Sequence, residues 1–185
     1  MVPDPETAPI VRDIFLWAIE GKKSTEIARI LNEKHIPTPM QHKKLSRQGM
    51  DNDAMWSHQA VIRIIRDYKY TGAMVSFKCG NETIRAKVQK RYAPEDYVIN
   101  EGMHEPIVTH DEYYAANDTL RKVKKYDVVR TDRRDRVYYC GHCGRRLRKT
   151  FGSDEYYSCA TPLYIRDAPC AGIHWSRTNI EDVVF

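Results

Sequence analysis

The chain has 185 residues, a net charge of +5, and apolar and charged fractions of 42% and 30%, which are ordinary for a globular protein. This length suits one medium domain or two small ones. The longest unbroken apolar run has six residues, whereas a membrane-spanning helix needs about 20. The N-terminus also lacks the charged start and apolar stretch of a secretory signal. Composition therefore excludes a membrane protein and gives no indication of secretion.

Basic residues are concentrated in one segment. Residues 121–149 contain twelve Lys or Arg and three Asp, a local net charge of +9, which leaves −4 for the rest of the chain. Such a segment is typical of a surface that binds a polyanion, most often nucleic acid. A solvated charged linker would have the same composition, so charge alone leaves both interpretations open.

The N-terminal part predicts a pair of helices. Apolar residues at helical spacing indicate a first helix over residues 5–20, which Gly21 ends. Ser24 then caps a second helix. Pro37 and Pro39 end this helical pair.

A third helix follows a polar loop over residues 38–55. Ser57 is its predicted cap, and one face is apolar. The opposite face is polar and basic. Two short helices followed by a helix with a basic outer face resemble a helix-turn-helix unit with an extended loop. The apolar positions are Val61, Ile64 and Ile65, and the polar positions are His58, Gln59, Arg63 and Arg66.

A β-rich stretch comes next. Residues 71–79 and 83–92 flank Gly80 and Asn81, which predicts an antiparallel hairpin with its turn at these two residues. Residues 97–100 predict a third strand.

A capping box then opens another helix. Thr109 and Glu112 have the spacing of this motif, and the helix is predicted to continue to about Lys125. The segment after it has little apolar content, which indicates an interdomain linker. The sequence thus predicts an α+β protein with a helical and mixed domain that contains a small β-hairpin region, and then a small β-ribbon. The predicted boundaries are residues 1–126 for the first domain, 127–136 for the linker and 137–185 for the ribbon.

The strongest chemical signal is a set of four cysteines with metal-ligand spacing: Cys140, Cys143, Cys159 and Cys170. Thiolates at x2 spacing reach one ion from a tight turn, and four thiolates complete the tetrahedron that zinc prefers. Residues 147–150 and 155–158 predict a hairpin between the two cysteine pairs. One structural zinc ion is therefore expected, and the C-terminal domain is predicted to be a zinc β-ribbon domain. This spacing also favours a reducing compartment over a disulfide framework.

Two histidines could replace a cysteine as the fourth ligand, namely His142 and His174. Because four thiolates already close the site, a surface position is favoured for both. Complete thiolate coordination also disfavours catalysis at the metal, since catalytic zinc keeps one position open for water. Cys79 has no nearby partner in the sequence and is interpreted as an incidental thiol.

A zinc deaminase is an alternative interpretation. His110, Asp111 and Glu112, followed later by the first cysteine pair, partly match the signature of that class. Tyr139 stands where the signature expects proline, and two cysteines would have no function. The capping box explains Glu112 more simply.

Four blocks of the sequence resemble successive parts of large serine recombinases. The run VPDPETAPIVRDIFLWAIEGKKSTEIARILNEKHIPTP is similar to the start of their recombinase domain, and MWSHQAVIRIIRDYKYTGAMV to its next block. HEPIVTHDEYYAANDTLRK resembles the closing helix of that domain. The run VYYCGHCGRRLRKT, continued through YYSC to the last cysteine, resembles the family's zinc ribbon. Residues 178–182 look like the start of the helix that leads into its coiled coil.

The resemblance implies a DNA integrase, transposase or excisionase-type recombinase from a bacterial or phage mobile element, acting in the cytoplasm at short attachment sites. It implies double-stranded DNA and other recombinase subunits as partners, and neither a membrane nor a small-molecule substrate. In the family a separate resolvase-type domain carries the serine nucleophile. No position here matches it, so the chain is expected to be a DNA-binding fragment without catalytic residues.

DNA contacts are predicted from the basic segments and from the third helix. Phosphate contacts fix position, whereas base-edge contacts give specificity. A protein-interaction zinc module is the alternative function, and it would present an apolar surface in place of a basic one. The predicted DNA-binding residues are Lys43, Lys44, Arg47, His58, Gln59, Arg63, Arg66, Lys124, Lys125, Arg133, Arg134, Arg145, Arg146 and Arg148.

Overall fold

The computed structural model describes residues 2–42, 54–80, 89–120, 137–150 and 155–184. Helices and small sheets alternate in these ranges, so the protein is a mixed α/β protein. None of the helices in the described ranges is long and apolar enough to cross a lipid bilayer. The α-helices are α1 (Ala8–Ile19), α2 (Ser24–Glu33), α3 (Pro39–His42), α4 (His58–Ile65), α5 (His110–Thr119) and α6 (Arg177–Val184).

The strands of the described ranges form three small antiparallel sheets. β1 pairs with β4, β2 pairs with β3, and β6 lies between β5 and β7. Three short 3-10 helices, Tyr68–Thr71, Pro94–Asp96 and Thr161–Leu163, connect these elements. The strands are β1 (Met74–Ser76), β2 (Cys79–Gly80), β3 (Lys90–Arg91), β4 (Val98–Asn100), β5 (Arg148–Thr150), β6 (Tyr156–Ser158) and β7 (His174–Ser176).

The chain packs as two compact units. Unit 1 comprises residues 1–27 and 58–121, and unit 2 comprises residues 28–57 and 122–185. The domain boundaries expected from the sequence stay a prediction. The expected linker, residues 127–136, lies outside the described residues.

In unit 1, α1 packs against α4 and α5. Phe15 is 1% exposed, and its ring lies edge-on to Tyr70 at 6.0 Å and tilted against Tyr113 at 6.4 Å. At the rim, Arg12 donates a hydrogen bond to the carbonyl of Ile107. The inward face of α4 is buried as its periodicity predicts. The aliphatic residues with the least exposure in this core include Ile14, Ile27, Val61 and Ile65.

Gly72 fixes the chain direction where the 3-10 helix Tyr68–Thr71 meets β1. Its φ is 90°, a left-handed conformation that glycine adopts without strain. A Cβ at this position would lie 2.7 Å from the carbonyl oxygen of His104, which is too close for any side chain. The close approach allows the Gly72 carbonyl to accept hydrogen bonds from the backbone N–H groups of Met103 and His104.

The predicted hairpin is confirmed in part: β2 and β3 pair antiparallel, but the placement of Gly80 in the turn is wrong. β1 pairs with β4, and Gly80 is itself a strand residue paired with Lys90. Asn81 and the rest of residues 81–88 lie outside the described residues. Thr71, predicted as the start of a strand, belongs to a 3-10 helix, whereas the predicted strand over residues 97–100 is confirmed by β4.

The capping box that opens α5 is confirmed. The Thr109 hydroxyl accepts a hydrogen bond from the Glu112 backbone N–H at 3.2 Å, and the Glu112 carboxylate accepts one from the Thr109 N–H at 2.8 Å. The predicted continuation of this helix to Lys125 is wrong, because α5 ends at Thr119 and Leu120 has an extended backbone.

Unit 2 contains the end of α2 and the residues just before α4. The Asn32 amide accepts a hydrogen bond from the Trp56 backbone N–H and donates one to the Trp56 carbonyl, while the Trp56 indole N–H donates to the Ile36 carbonyl. Trp56 is 3% exposed and anchors this segment. The predicted loop over residues 38–55 contains the short helix α3, and its residues 43–53 lie outside the described ranges.

The remainder of unit 2 is a C-terminal module, defined here as residues 137–150 and 155–184. Its sheet is the three-stranded β5–β6–β7, and the pairing of β5 with β6 confirms the predicted hairpin. Glu155 accepts a hydrogen bond from Arg177 at 2.7 Å and forms an ion pair with Lys149 at 3.3 Å. These contacts fix the start of α6 against β5 and β6.

Candidate metal centre and basic surface

The first cysteine pair lies on a tight backbone turn. The Gly144 N–H donates to the Cys140 carbonyl, and the Cys140 N–H donates to the Arg145 carbonyl, both at 2.8 Å. Gly144 has a φ of 66°, which a residue with a side chain adopts less readily. The turn therefore presents Cys140 and Cys143 from one rigid backbone segment.

The second pair of cysteines lies in the connection between β6 and β7. Cys159 follows β6 directly, and Cys170 precedes β7. The Ala171 N–H donates to the Ala168 carbonyl at 2.9 Å, and the Ile173 N–H donates to the Cys170 carbonyl at 3.3 Å. A second turn thus holds Cys170, although ten residues separate it from Cys159.

The structure brings all four cysteines into one cluster. Their sulfurs lie within 4.8 Å of one another, and Cys159 Sγ lies 3.5 Å from the sulfurs of both Cys143 and Cys170. A tetrahedral zinc ion with Zn–S bonds of about 2.3 Å would hold its sulfurs about 3.8 Å apart. A disulfide needs about 2.05 Å, so the cluster fits a metal ion and is not a pair of disulfides.

The cluster is also the core of the C-terminal module. Three of the six residues in its buried cluster are cysteines, with exposures of 3% for Cys140, 9% for Cys159 and 1% for Cys170. The others are Leu147, Tyr157 and Ala168. A site that is buried and lined by four sulfurs is typical of a structural metal and leaves no open position for a reacting water.

The thiols differ in acidity. Burial raises the pKa of Cys170, and contacts with the thiols of Cys159 and Cys143 raise it further. Burial also acts to raise the pKa of Cys143, but hydrogen bonds from the Thr161 hydroxyl, the Arg145 backbone N–H and neighbouring thiols outweigh it and lower the pKa. Metal ions bind thiolates, so metal binding would release the protons that remain on the cluster.

The histidines considered as replacement ligands lie elsewhere. The metal-ligand cluster found among the described residues consists of the four cysteines alone. His142 and His174 are exposed, and the His174 ring lies edge-on to Tyr156 at 3.9 Å. Glu112 is held in the capping box of α5, which disfavours the deaminase interpretation. Cys79 is an exposed free thiol on β2.

The arginines that follow the first turn form an outward-facing basic surface. Arg146 and Arg148 are exposed on either side of Leu147, which is 9% exposed. Alternation along an extended chain therefore places these two arginines on the face away from the core. Arg145 is half-buried, and its carbonyl is part of the turn that carries the cysteines.

The predicted polar face of α4 is also outward. Gln59 and Arg63 are exposed and lie four residues apart on one face of α4, and Arg66 is exposed directly after the helix ends at Ile65. His58 is half-buried, and its ring lies 3.1 Å from the Gln59 amide nitrogen. The other predicted DNA-binding residues lie outside the described ranges: Lys43, Lys44, Arg47, Lys124, Lys125, Arg133 and Arg134.

One contact of the cluster was not predicted from the sequence. Thr161 is buried, and its hydroxyl lies 3.3 Å from Cys143 Sγ and 3.4 Å from Cys159 Sγ. A threonine two residues after a ligand is too common a pattern to indicate this contact in advance.

Two solved structures show low similarity to this chain. One solved structure, described as "Sequence Requirements of the Listeria innocua prophage attP site", is 15% identical with a TM-score of 0.36, over 98% of this chain and 69% of that one. Another, described as "Crystal Structure of a LSR-DNA Complex", is 16% identical with a TM-score of 0.38, over 99% of this chain and 52% of that one. No curated protein matches the sequence.

The family assignment comes from a separate comparison. Residues 5–123 match the family described as Recombinase. Apart from residues 2–4, this range covers three of the four sequence blocks that resemble a recombinase, and it confirms that resemblance. Because the match covers more than half of the 185 residues, the chain belongs to the Recombinase family.

Proposed function

We propose that this chain is the DNA-binding part of a serine site-specific recombinase and that it binds a double-stranded attachment site. The observation that carries the proposal is the family match over residues 5–123. In this proposal the chain contributes recognition to integration, excision or transposition. Strand cleavage belongs to a resolvase-type domain and to other recombinase subunits.

The metal of the cysteine cluster is proposed to be one structural zinc ion. Four thiolates suit zinc, which is almost always tetrahedral in structural sites and has no redox chemistry. The ligands would be Cys140, Cys143, Cys159 and Cys170, which the structure gathers within 4.8 Å. On this basis the C-terminal module is a zinc ribbon that presents the basic surface on a metal-stiffened backbone.

The two exposed basic surfaces are proposed to have different roles in DNA binding. Arg146 and Arg148 leave a short turn that the metal would hold, so less conformational entropy is lost when they contact phosphates. Gln59 and Arg63 lie on an exposed helix face, which is the kind of element that enters a major groove. The ribbon would then add position and affinity, and α4 would add base preference.

Binding to duplex DNA tests this proposal. Replacing Arg146 and Arg148 together by Ala should flatten the dependence of log affinity on log salt by about 2, since each lost phosphate contact reduces the slope by about 1. Replacing Lys90 and Arg91 of β3 by Ala removes the same charge from residues that are not predicted to contact DNA. This control should leave the salt dependence of affinity closer to that of the wild type. Fluorescence anisotropy at several salt concentrations gives these slopes.

The helix face is tested with the same assay. Arg63→Ala should cost about 1–3 kcal/mol and relax preference at one base pair if this side chain reads a base. Non-specific duplex should be bound almost as before. Equal losses on specific and scrambled duplexes would assign Arg63 to the phosphate backbone instead.

A protein-interaction module remains the second candidate function, because the C-terminal module also exposes apolar side chains. Tyr139 is 66% exposed and Trp175 is 50% exposed. A surface that binds protein through such residues would depend little on salt. Absence of duplex binding at low salt, with the metal bound, would favour this candidate over the recombinase proposal.

A further inference from the structure

Thr161 is one of three buried polar residues in the described part of the chain, together with Thr38 and Thr71. The other two have oxygen partners: the Thr38 hydroxyl bonds to the Gln41 amide oxygen, and the Thr71 hydroxyl donates to the Tyr68 carbonyl. The Thr161 hydroxyl instead lies against two sulfurs, at 3.3 Å from Cys143 and 3.4 Å from Cys159.

The backbone holds this hydroxyl in place. Thr161 begins the 3-10 helix Thr161–Leu163, and its carbonyl accepts hydrogen bonds from the backbone N–H groups of Tyr164 at 2.9 Å and Ile165 at 3.0 Å. Thr161 is 5% exposed. Its side chain is therefore fixed by a short helix and by burial, independently of any ion.

The two sulfurs belong to different halves of the ligand set. Cys143 comes from the turn after residue 140, whereas Cys159 follows β6. A single hydroxyl between them links the two backbone segments that a metal ion must also link. Four thiolates around a divalent ion carry a net charge of −2, and a buried charge needs hydrogen-bond donors nearby.

We propose that Thr161 is a positioning residue of the metal centre, whose hydroxyl donates its one hydrogen bond to the Cys143 thiolate, lies against Cys159 and slows metal release. The inference rests on the proposed metal site. It adds a side-chain donor to the backbone N–H of Arg145, which also bonds to the Cys143 sulfur. Partners of this kind typically change metal affinity by about 10–100-fold.

Thr161→Val removes the hydroxyl and keeps the shape of the side chain, and Thr161→Ser keeps the hydroxyl. The 185-residue chain is loaded with Zn²⁺ and titrated with a chromophoric chelator. Thr161→Val should bind zinc about 10-fold more weakly and release it faster, whereas Thr161→Ser should stay close to the wild type. If the valine variant does not fold, Thr161→Ser against Thr161→Ala gives the same hydroxyl comparison in a smaller side chain.

Cobalt substitution separates hydrogen bonding from packing. With Co²⁺ bound, the sulfur-to-metal charge-transfer band should shift in the valine and alanine variants but not in the serine variant, because the hydroxyl acts on the sulfurs themselves. Equal zinc affinities and unshifted bands in the variants that lack the hydroxyl would overturn the proposal for Thr161 alone. A wild-type chain that takes up no metal would overturn the metal site and this inference together.

Discussion

In unit 1 the least exposed side chains are aliphatic and aromatic, whereas half of the buried cluster in the C-terminal module consists of cysteines. Phe15 packs between the rings of Tyr70 and Tyr113, and apolar area removed from water stabilises this core directly. Cys140, Cys159 and Cys170 are small and bury far less apolar area. The two regions must therefore owe their stability to different interactions.

The difference explains why a short cysteine-rich segment can have a defined structure. The strands of the module have three residues each, and an isolated sheet of such strands is marginally stable in water. A metal ion held by the four thiolates would supply folding free energy that the small core lacks, since structural zinc contributes about 10–16 kcal/mol in peptides. Unit 1 needs no such contribution.

The largest expected effect comes from losing a metal ligand. Cys140→Ser should release the metal and unfold the C-terminal module, because the remaining core is too small to fold alone. Unit 1 should stay folded. Hydrogen exchange followed by mass spectrometry reports both regions at once, through peptides from β5–β7 and from α1 and α5.

Cys79→Ser is the matched control for this variant. Cys79 is an exposed free thiol on β2 and is not part of the cysteine cluster. Its replacement should change neither metal content nor exchange in either region. Retention of protection in the module by a Cys140 variant that has lost its metal would mean that side-chain packing stabilises the module.

The second effect is smaller and is confined to unit 1. Phe15→Ala should reduce the free energy of unfolding by about 3–5 kcal/mol, because it leaves a cavity between two rings. Leu16→Ala is the neighbouring control, since Leu16 is 41% exposed and should cost much less. Urea denaturation measures both variants, and unchanged zinc affinity in each would show that the two regions are stabilised separately.

Features of the fold that depend on local sequence were predictable. The inward face of α4, the capping box of α5 and the pairing of β5 with β6 were predicted because each depends on residues close together in the chain. The partner of β1 in unit 1 was not predictable in this way. β1 pairs with β4 across some 24 residues, and no local signal states which of several short strands will meet.

Prediction of the cysteine site from the sequence was likewise limited to local features. The spacing of the cysteines was enough to predict that they meet, because few arrangements other than a metal centre use an x2 pair followed by two more thiols. The Thr161 hydroxyl could not be predicted, since its contact with two sulfurs depends on a 3-10 helix that brings one side chain back onto the cluster. The basic face of Arg146 and Arg148 followed from alternation around Leu147 once that residue was known to be buried.

The smallest expected effect tests whether local hydrogen bonds stabilise unit 1 in addition to its apolar core. Thr109→Ala removes the hydroxyl that accepts from the Glu112 N–H and should cost about 1 kcal/mol of stability, within a range of about 0.5–2 kcal/mol. Thr109→Ser keeps this acceptor and should cost less. Because α5 packs against α1, the loss should appear as faster hydrogen exchange in both helices, while exchange in the C-terminal module stays unchanged. A loss as large as that of Phe15→Ala would mean that the start of α5, and not the aromatic core, limits the stability of unit 1.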